Sequence, residues 1–131
     1  MTPHLIAIIT ASAASYVAGF LWYIVLGRRW QEAVQLYSAT APYRPRAVEM
    51  AAALIGQFVL AKALSILFAR LEIATSVAGL LAAAAVWLGF VLPTLATNLV
   101  FQRRSLGLLW MDGGHWLLIL AIQGAVLGAL G

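Results

Sequence analysis

Cysteine is absent from the 131 residues, which removes disulfides, thiolate metal sites and cysteine nucleophiles together. Charge is scarce as well: Asp and Glu number 4, Lys and Arg 8, and His 2. Soluble domains average about a quarter charged residues, whereas this chain has 9%. No nucleophile has an adjacent base, no carboxylates are paired, and no glycine loop of the phosphate-binding kind occurs, so no enzyme is expected. A metal site lacks ligands: Asp112 and His115 stand three apart, but a third donor is missing at that depth and His4 belongs to the far membrane face. No cofactor is therefore expected, the alternative being a haem or pigment clamped by His115 of two copies.

What is present is apolar sequence, 64% hydrophobic with mean hydropathy +0.98. A membrane span takes about 20 such residues. The length accommodates one all-α unit, residues 1–131, of four transmembrane helices at about 5–26, 48–70, 74–101 and 106–130, with a short interfacial helix after the first.

The first run carries no charge, and no Lys or Arg precedes it, which favours a span over a cleaved leader. Ala11, Ser15 and Gly19 recur every fourth residue and form a stripe where a neighbouring helix can approach. Trp22 and Tyr23 follow near its end as interface anchors. The next segment holds Arg28, Arg29, Arg44 and Arg46 against Glu32, with Trp30, Val34 and Tyr37 at helical spacing. That pattern predicts a short helix in the headgroup region, anchored by Trp30 and broken at Pro42 and Pro45. It reads as a topology determinant, with anionic lipid or a protein partner as the alternative ligand.

Only a few residues around Leu71, Glu72 and Ile73 separate the second and third runs, which predicts a tight antiparallel hairpin. The third run, Ile73 to Phe101, has no charge. As straight helix it would measure about 43 Å at 1.5 Å per residue, more than the hydrocarbon core. Tilt, a protruding end or a kink at Pro93, which frees the carbonyl near Gly89, can absorb the surplus.

The net charge of +4 lies in the gaps between runs. That distribution reflects topology rather than nucleic-acid binding. Arginines crowd the first and third connections, so the positive-inside rule places both termini outside the cytoplasm.

On the fourth run Asp112, His115, Ile119 and Gln123 follow steps of three, four and four, which lines polar groups along one side of a helix. Gly113, Gly124 and Gly128 occupy another stripe, the last two as a GxxxG pair. A charge at the bilayer centre costs about 2.5 to 3.5 kcal/mol on insertion scales, so Asp112 and Lys62 each need a partner or water. A direct pair between them is one option, and snorkelling of Lys62 is the other. Thr94 and Asn98 on the third helix are further candidates for Asp112. Together Asp112, His115, Gln123, Asn98 and Lys62 form a candidate polar seam, either a path for a proton, ion or small solute or a set of interhelical bonds.

GFLWYIVLGRRW at Gly19 to Trp30, WLGFVLPTLATNLVF at Trp87 to Phe101 and WMDGGHWLLILAIQGAVLGAL at Trp110 to Leu130 resemble the bacterial membrane proteins catalogued as domain of unknown function 1761. The resemblance covers nearly the whole chain. It rests on Gly19 and Trp22, Gly27 and Trp30, Pro93, Asn98, Phe101 and Gly114, and it implies a four-helix integral membrane protein with no assigned activity; placement in the bacterial inner membrane is a separate expectation. The chain departs from the usual pattern at Thr97, Gln102, Asp112 and His115. The leading expectation is an oligomer lining a polar path for a proton, ion or small solute; the alternative is a non-catalytic accessory or scaffold subunit held to itself or to another membrane protein.

Overall fold

The computed structural model describes residues 3–131. Six α-helices follow in order: α1 (Pro3–Leu26), α2 (Arg28–Ala33), α3 (Ala47–Arg70), α4 (Ser76–Val86), α5 (Leu92–Phe101) and α6 (Gly107–Leu130). A π-helical turn, Trp87–Val91, joins α4 to α5, so the two form one continuous third span, Ser76–Phe101. The protein is all-α, with no strand among the described residues and four helices long and apolar enough to cross a membrane.

The helix ends follow local chemistry. Thr75 caps α4 by accepting the Ala78 N–H at 3.1 Å, as a hydroxyl at that position commonly does. Glu49 folds back onto the Arg46 N–H at 3.1 Å at the start of α3, satisfying a donor outside the first turn. Between α1 and α2 the chain turns at Gly27, whose φ of 46° and ψ of −118° suit a residue without a Cβ. The interfacial helix is shorter than the Trp30, Val34, Tyr37 spacing predicts. It ends at Ala33, and Gln35 takes a φ of 63°, turning Tyr37 back under the Arg28 guanidinium, which lies 4.5 Å from its ring centroid.

In the third span, Pro93 has no N–H with which to continue an α-ladder. The backbone widens just ahead of it, and the Leu92 N–H reaches the Trp87 carbonyl, the five-residue step of a π turn. Gly89 lies inside that turn with open space where a Cβ would stand.

Helix α6 is the centre of the bundle and packs on α1, α2, α3, α4 and α5. Of its apolar stretch 44% is buried, against 11% for the third span, so α6 is the element that the others surround. Against α4 the contact is backbone on backbone: a Cβ added to Gly79, Gly124 or Gly128 would run into the main chain of the facing helix or of Thr75. Small residues permit this approach, which supplies dispersion contacts where lipid offers no hydrophobic driving force. Two apolar clusters stack along the bundle. One joins Ala7, Ile8, Ala11, Ala61, Leu64, Phe68, Ala83, Leu120 and Leu127. The other, at the arginine-bearing end, joins Leu99, Leu108 and Met111 to Leu26, Trp30 and Val34.

Candidate functional site

The seam on α6 faces α1. Because the two helices run antiparallel, residues late in α1 meet residues early in α6. The Tyr23 hydroxyl donates to Asp112 Oδ1 at 2.7 Å, and the Trp30 indole N–H, carried by α2, donates to the same oxygen at 3.1 Å. Trp22 donates to the Met111 carbonyl at 2.8 Å, and Trp87, from the π turn, to the Gly113 carbonyl at 2.9 Å. Three consecutive residues of α6 thus each accept an aromatic donor from another element. Trp22, Tyr23 and Trp30, expected as interface anchors, turn inward to do this. Only the second lone pair of each helix carbonyl is needed, since a backbone oxygen accepts twice.

Glycines make the fit possible. A Cβ on Gly114 would lie 2.8 Å from the Trp22 ring, so the indole crosses α6 there. A Cβ on Gly19 would lie 2.7 Å from His115 Nε2 and 2.9 Å from Ile119 Cδ1; the imidazole and the isoleucine occupy the room that Gly19 leaves. His115 also packs on Tyr23 at 4.7 Å between centroids, the rings inclined at 40°, and meets Trp116 at 4.8 Å. Its Nδ1 is buried without a hydrogen-bond partner.

Two turns further on, Gln123 Nε2 has three acceptors within reach: Ser15 Oγ at 2.9 Å, the Gln57 carbonyl at 3.0 Å and Gln57 Oε1 at 3.1 Å. The Ser15 hydroxyl donates to Gln57 Oε1 at 2.9 Å. This buried triad ties α1, α3 and α6 together. Gln123 Oε1 has no partner. Between the two polar clusters stands Ile119, fully buried, so the seam is interrupted by a hydrocarbon layer rather than continuous.

Asp112, His115 and Gln123 are therefore brought onto one interface, and Asn98 and Lys62 are not. Asn98 is exposed on α5 with Thr94 and Thr97; the two threonine hydroxyls are turned onto the Phe90 and Pro93 carbonyls of their own segment. Lys62 is exposed on α3 and forms no ion pair with Asp112. Among the described residues no group of three His, Cys, Asp or Glu could hold a metal ion. Ala11 and Ser15 are fully buried, and Gly124 and Gly128 are the closest points of the α4–α6 contact.

A family model described as Protein of unknown function (DUF1761) matches residues 6–128. The chain belongs to this family. No curated protein and no solved structure matches it. DUF1761 carries no activity by description, so a reading of this member rests on its own residues. In this DUF1761 protein the Tyr23 and Trp30 bonds to Asp112, the donors Trp87 and Trp22, and the Ser15–Gln57 link escaped sequence reasoning. One signal pointed toward part of them. A carboxylate within a membrane helix needs donors, and the end of α1 lies on the same side of the bundle as the start of α6.

Proposed function

We propose that this protein is a non-catalytic accessory or scaffold subunit of the bacterial inner membrane, acting by association with a second copy or another membrane protein. One observation carries the reading. The polar groups of the most buried helix are used between helices of one chain: Asp112 on Tyr23 and Trp30, Gln123 on Ser15 and Gln57. The 0% exposure of Ile119 leaves no room for a solute to pass between those clusters. The third span, by contrast, leaves most of its surface outside the protomer, with Thr94, Thr97 and Asn98 among the outward residues. Polar side chains of this kind bond across helices in membranes. The arginine-rich connections favour a topology with both chain ends outside the cytoplasm. Mass determination in mild detergent and in nanodiscs tests the reading. An oligomer or a stoichiometric co-purifying membrane protein is the expected result, and a lone monomer in both media overturns it.

A second reading, proton movement along the α1–α6 seam, is favoured by one observation. Among the described residues two buried side-chain polar atoms lack partners, His115 Nδ1 and Gln123 Oε1, and they lie on the same face of α6 on either side of Ile119. Proton flux into dye-loaded liposomes that is the same with the protein as without it, or with Asp112→Asn as with the native chain, dismisses that reading.

A further inference from the structure

Helices α1 and α3 pack tightly at one end and part at the other. The buried residues of α3 are Gln57, Ala61, Leu64 and Phe68. None of residues 47–56 is buried, and Gly56 has open space where a Cβ would stand. Below the Ser15–Gln57 link the two helices therefore splay toward the arginine-bearing end. In the splay lies a recess of about 210 Å³ lined by Tyr16, Val17, Phe20, Leu21 and Met50. The Tyr16 hydroxyl spans it, donating to the Met50 carbonyl at 3.4 Å.

Two arginines, Arg44 and Arg46, precede α3 near the rim, the second paired with Glu49 at 2.8 Å. Met50 is four residues after Arg46, about 6 Å of helix rise, so the apolar recess opens within a turn of the residues that precede α3. Glu49, the carboxylate nearest the rim, accepts from both the Arg46 N–H and Arg46 Nε, while the Arg46 side chain stays 75% exposed. Arg44 is exposed and has no hydrogen-bond or ion-pair partner among the described residues. An apolar slot of acyl-chain character thus ends beside two cations at headgroup level. Basic pockets between transmembrane helices are recognised by acidic lipid headgroups.

We propose that the splay between α1 and α3 is a binding site for one anionic phospholipid, with an acyl chain against Val17, Phe20, Leu21 and Met50 and the phosphate at Arg44 and Arg46. The site is independent of the association proposed above, because it lies on the α1–α3 side and the third span takes no part in it. The lipid would fill a notch that the protein leaves open.

Native mass spectrometry of the full chain in detergent tests this, with phosphatidylglycerol and phosphatidylcholine of identical chains as probes. The native protein is expected to retain one phosphatidylglycerol in preference to phosphatidylcholine. The pair Arg44→Gln and Arg46→Gln should lose about tenfold of that preference, about 1.4 kcal/mol. The pair Arg103→Gln and Arg104→Gln removes the same charge from the same membrane side away from the recess, and should keep the preference. Val17→Trp, or Leu21→Trp should the first fail to fold, fills the slot from an exposed position and should release both lipids. Equal retention of the two lipids by the native chain, an equal loss in both arginine pairs, or undiminished retention in the filled variants overturns the proposal.

Discussion

The bonds to Asp112 can be weighed one at a time. Its Oδ1 accepts from Tyr23 and Trp30, and a hydrogen bond to an ionised group contributes about 1.5 to 3 kcal/mol in proteins, less between membrane helices, where measured values average about 0.6 kcal/mol and reach about 1.7. Tyr23→Phe removes one donor and keeps the ring packed on His115, so it should destabilise by about 1 kcal/mol. Asp112→Ala removes the acceptor from both donors and leaves a hydroxyl and an indole N–H without it, for about 2 to 3 kcal/mol. In the double variant the Tyr23 bond is lost only once, giving a coupling of about 1 kcal/mol. Asp112→Asn keeps an oxygen acceptor in the same place and should lie within about 1 kcal/mol of the native chain. Unfolding in mixed micelles, followed by tryptophan fluorescence, reads all four. Trp22, Trp30 and Trp87 all donate into this region. Additivity of the two single changes within about 0.3 to 0.5 kcal/mol, or an asparagine as damaging as alanine, refutes the assignment of Asp112 as an acceptor that ties α1 and α2 to α6.

Three further outcomes follow from the packing. Gly79→Ala and Gly124→Ala should each destabilise by about 1 to 3 kcal/mol, because the new methyl meets backbone rather than a movable side chain; Gly56→Ala, with open space around it, should stabilise α3 by up to about 1 kcal/mol. Melting in detergent separates the two classes, and equal effects at Gly56 and Gly79 would contradict the α4–α6 contact. Gly27→Ala forces a Cβ into a φ of 46° and should cost about 1 to 3 kcal/mol, loosening α2 so that segment 35–46 is cut faster by protease; unchanged proteolysis would show that the turn tolerates a side chain. Ser15→Ala removes the hydroxyl shared by Gln57 and Gln123 and should cost about 1 kcal/mol or less, since Gln123 Nε2 keeps both Gln57 oxygens; a loss above 2 kcal/mol would mean that the triad depends on the serine.

Element existence was legible because long uncharged runs have few alternatives. The α1 and α6 stripes were legible for a different reason: small and polar residues recur at helical spacing in Ala11, Ser15 and Gly19 and in Asp112, His115 and Gln123. Depth alone does not place Lys62 and Asn98, which are exposed on α3 and α5. A transmembrane helix is apolar around its whole circumference, so hydrophobic pattern does not say which side meets protein. Depth along the membrane can be counted from the ends, but rotation about the axis depends on which glycines find a facing backbone. Gly79 against Gly124 and Gly128 sets that rotation for the third span. With that face turned to α6, Thr94, Thr97 and Asn98 lie on exposed positions of α5. The inward bonds of the aromatic residues were not legible for a related reason. A Trp or Tyr near a helix end suits the headgroup layer, yet the same position lies level with Asp112, and an unpaired carboxylate inside a bundle outweighs an interfacial preference.

Placement of the ionisable residues also separates two roles within α6. Near the arginine-bearing end its polar atoms hold α2, a six-residue helix that belongs to none of the four spans, so Asp112 ties this short element to the bundle through Trp30. Deeper in, Gln123 holds two spanning helices, and its partners Ser15 and Gln57 are buried. Loss of the first should free a surface segment while the bundle persists; loss of the second should loosen the bundle itself. Hydrogen exchange in nanodiscs distinguishes these cases. Asp112→Ala is expected to raise exchange in residues 28–46 and little elsewhere, and Gln123→Leu to raise it in α1 and α3. If Asp112→Ala instead exposes α1 and α3 as strongly as Gln123→Leu does, the two clusters act as one cooperative seam, and the hydrocarbon layer at Ile119 does not isolate them.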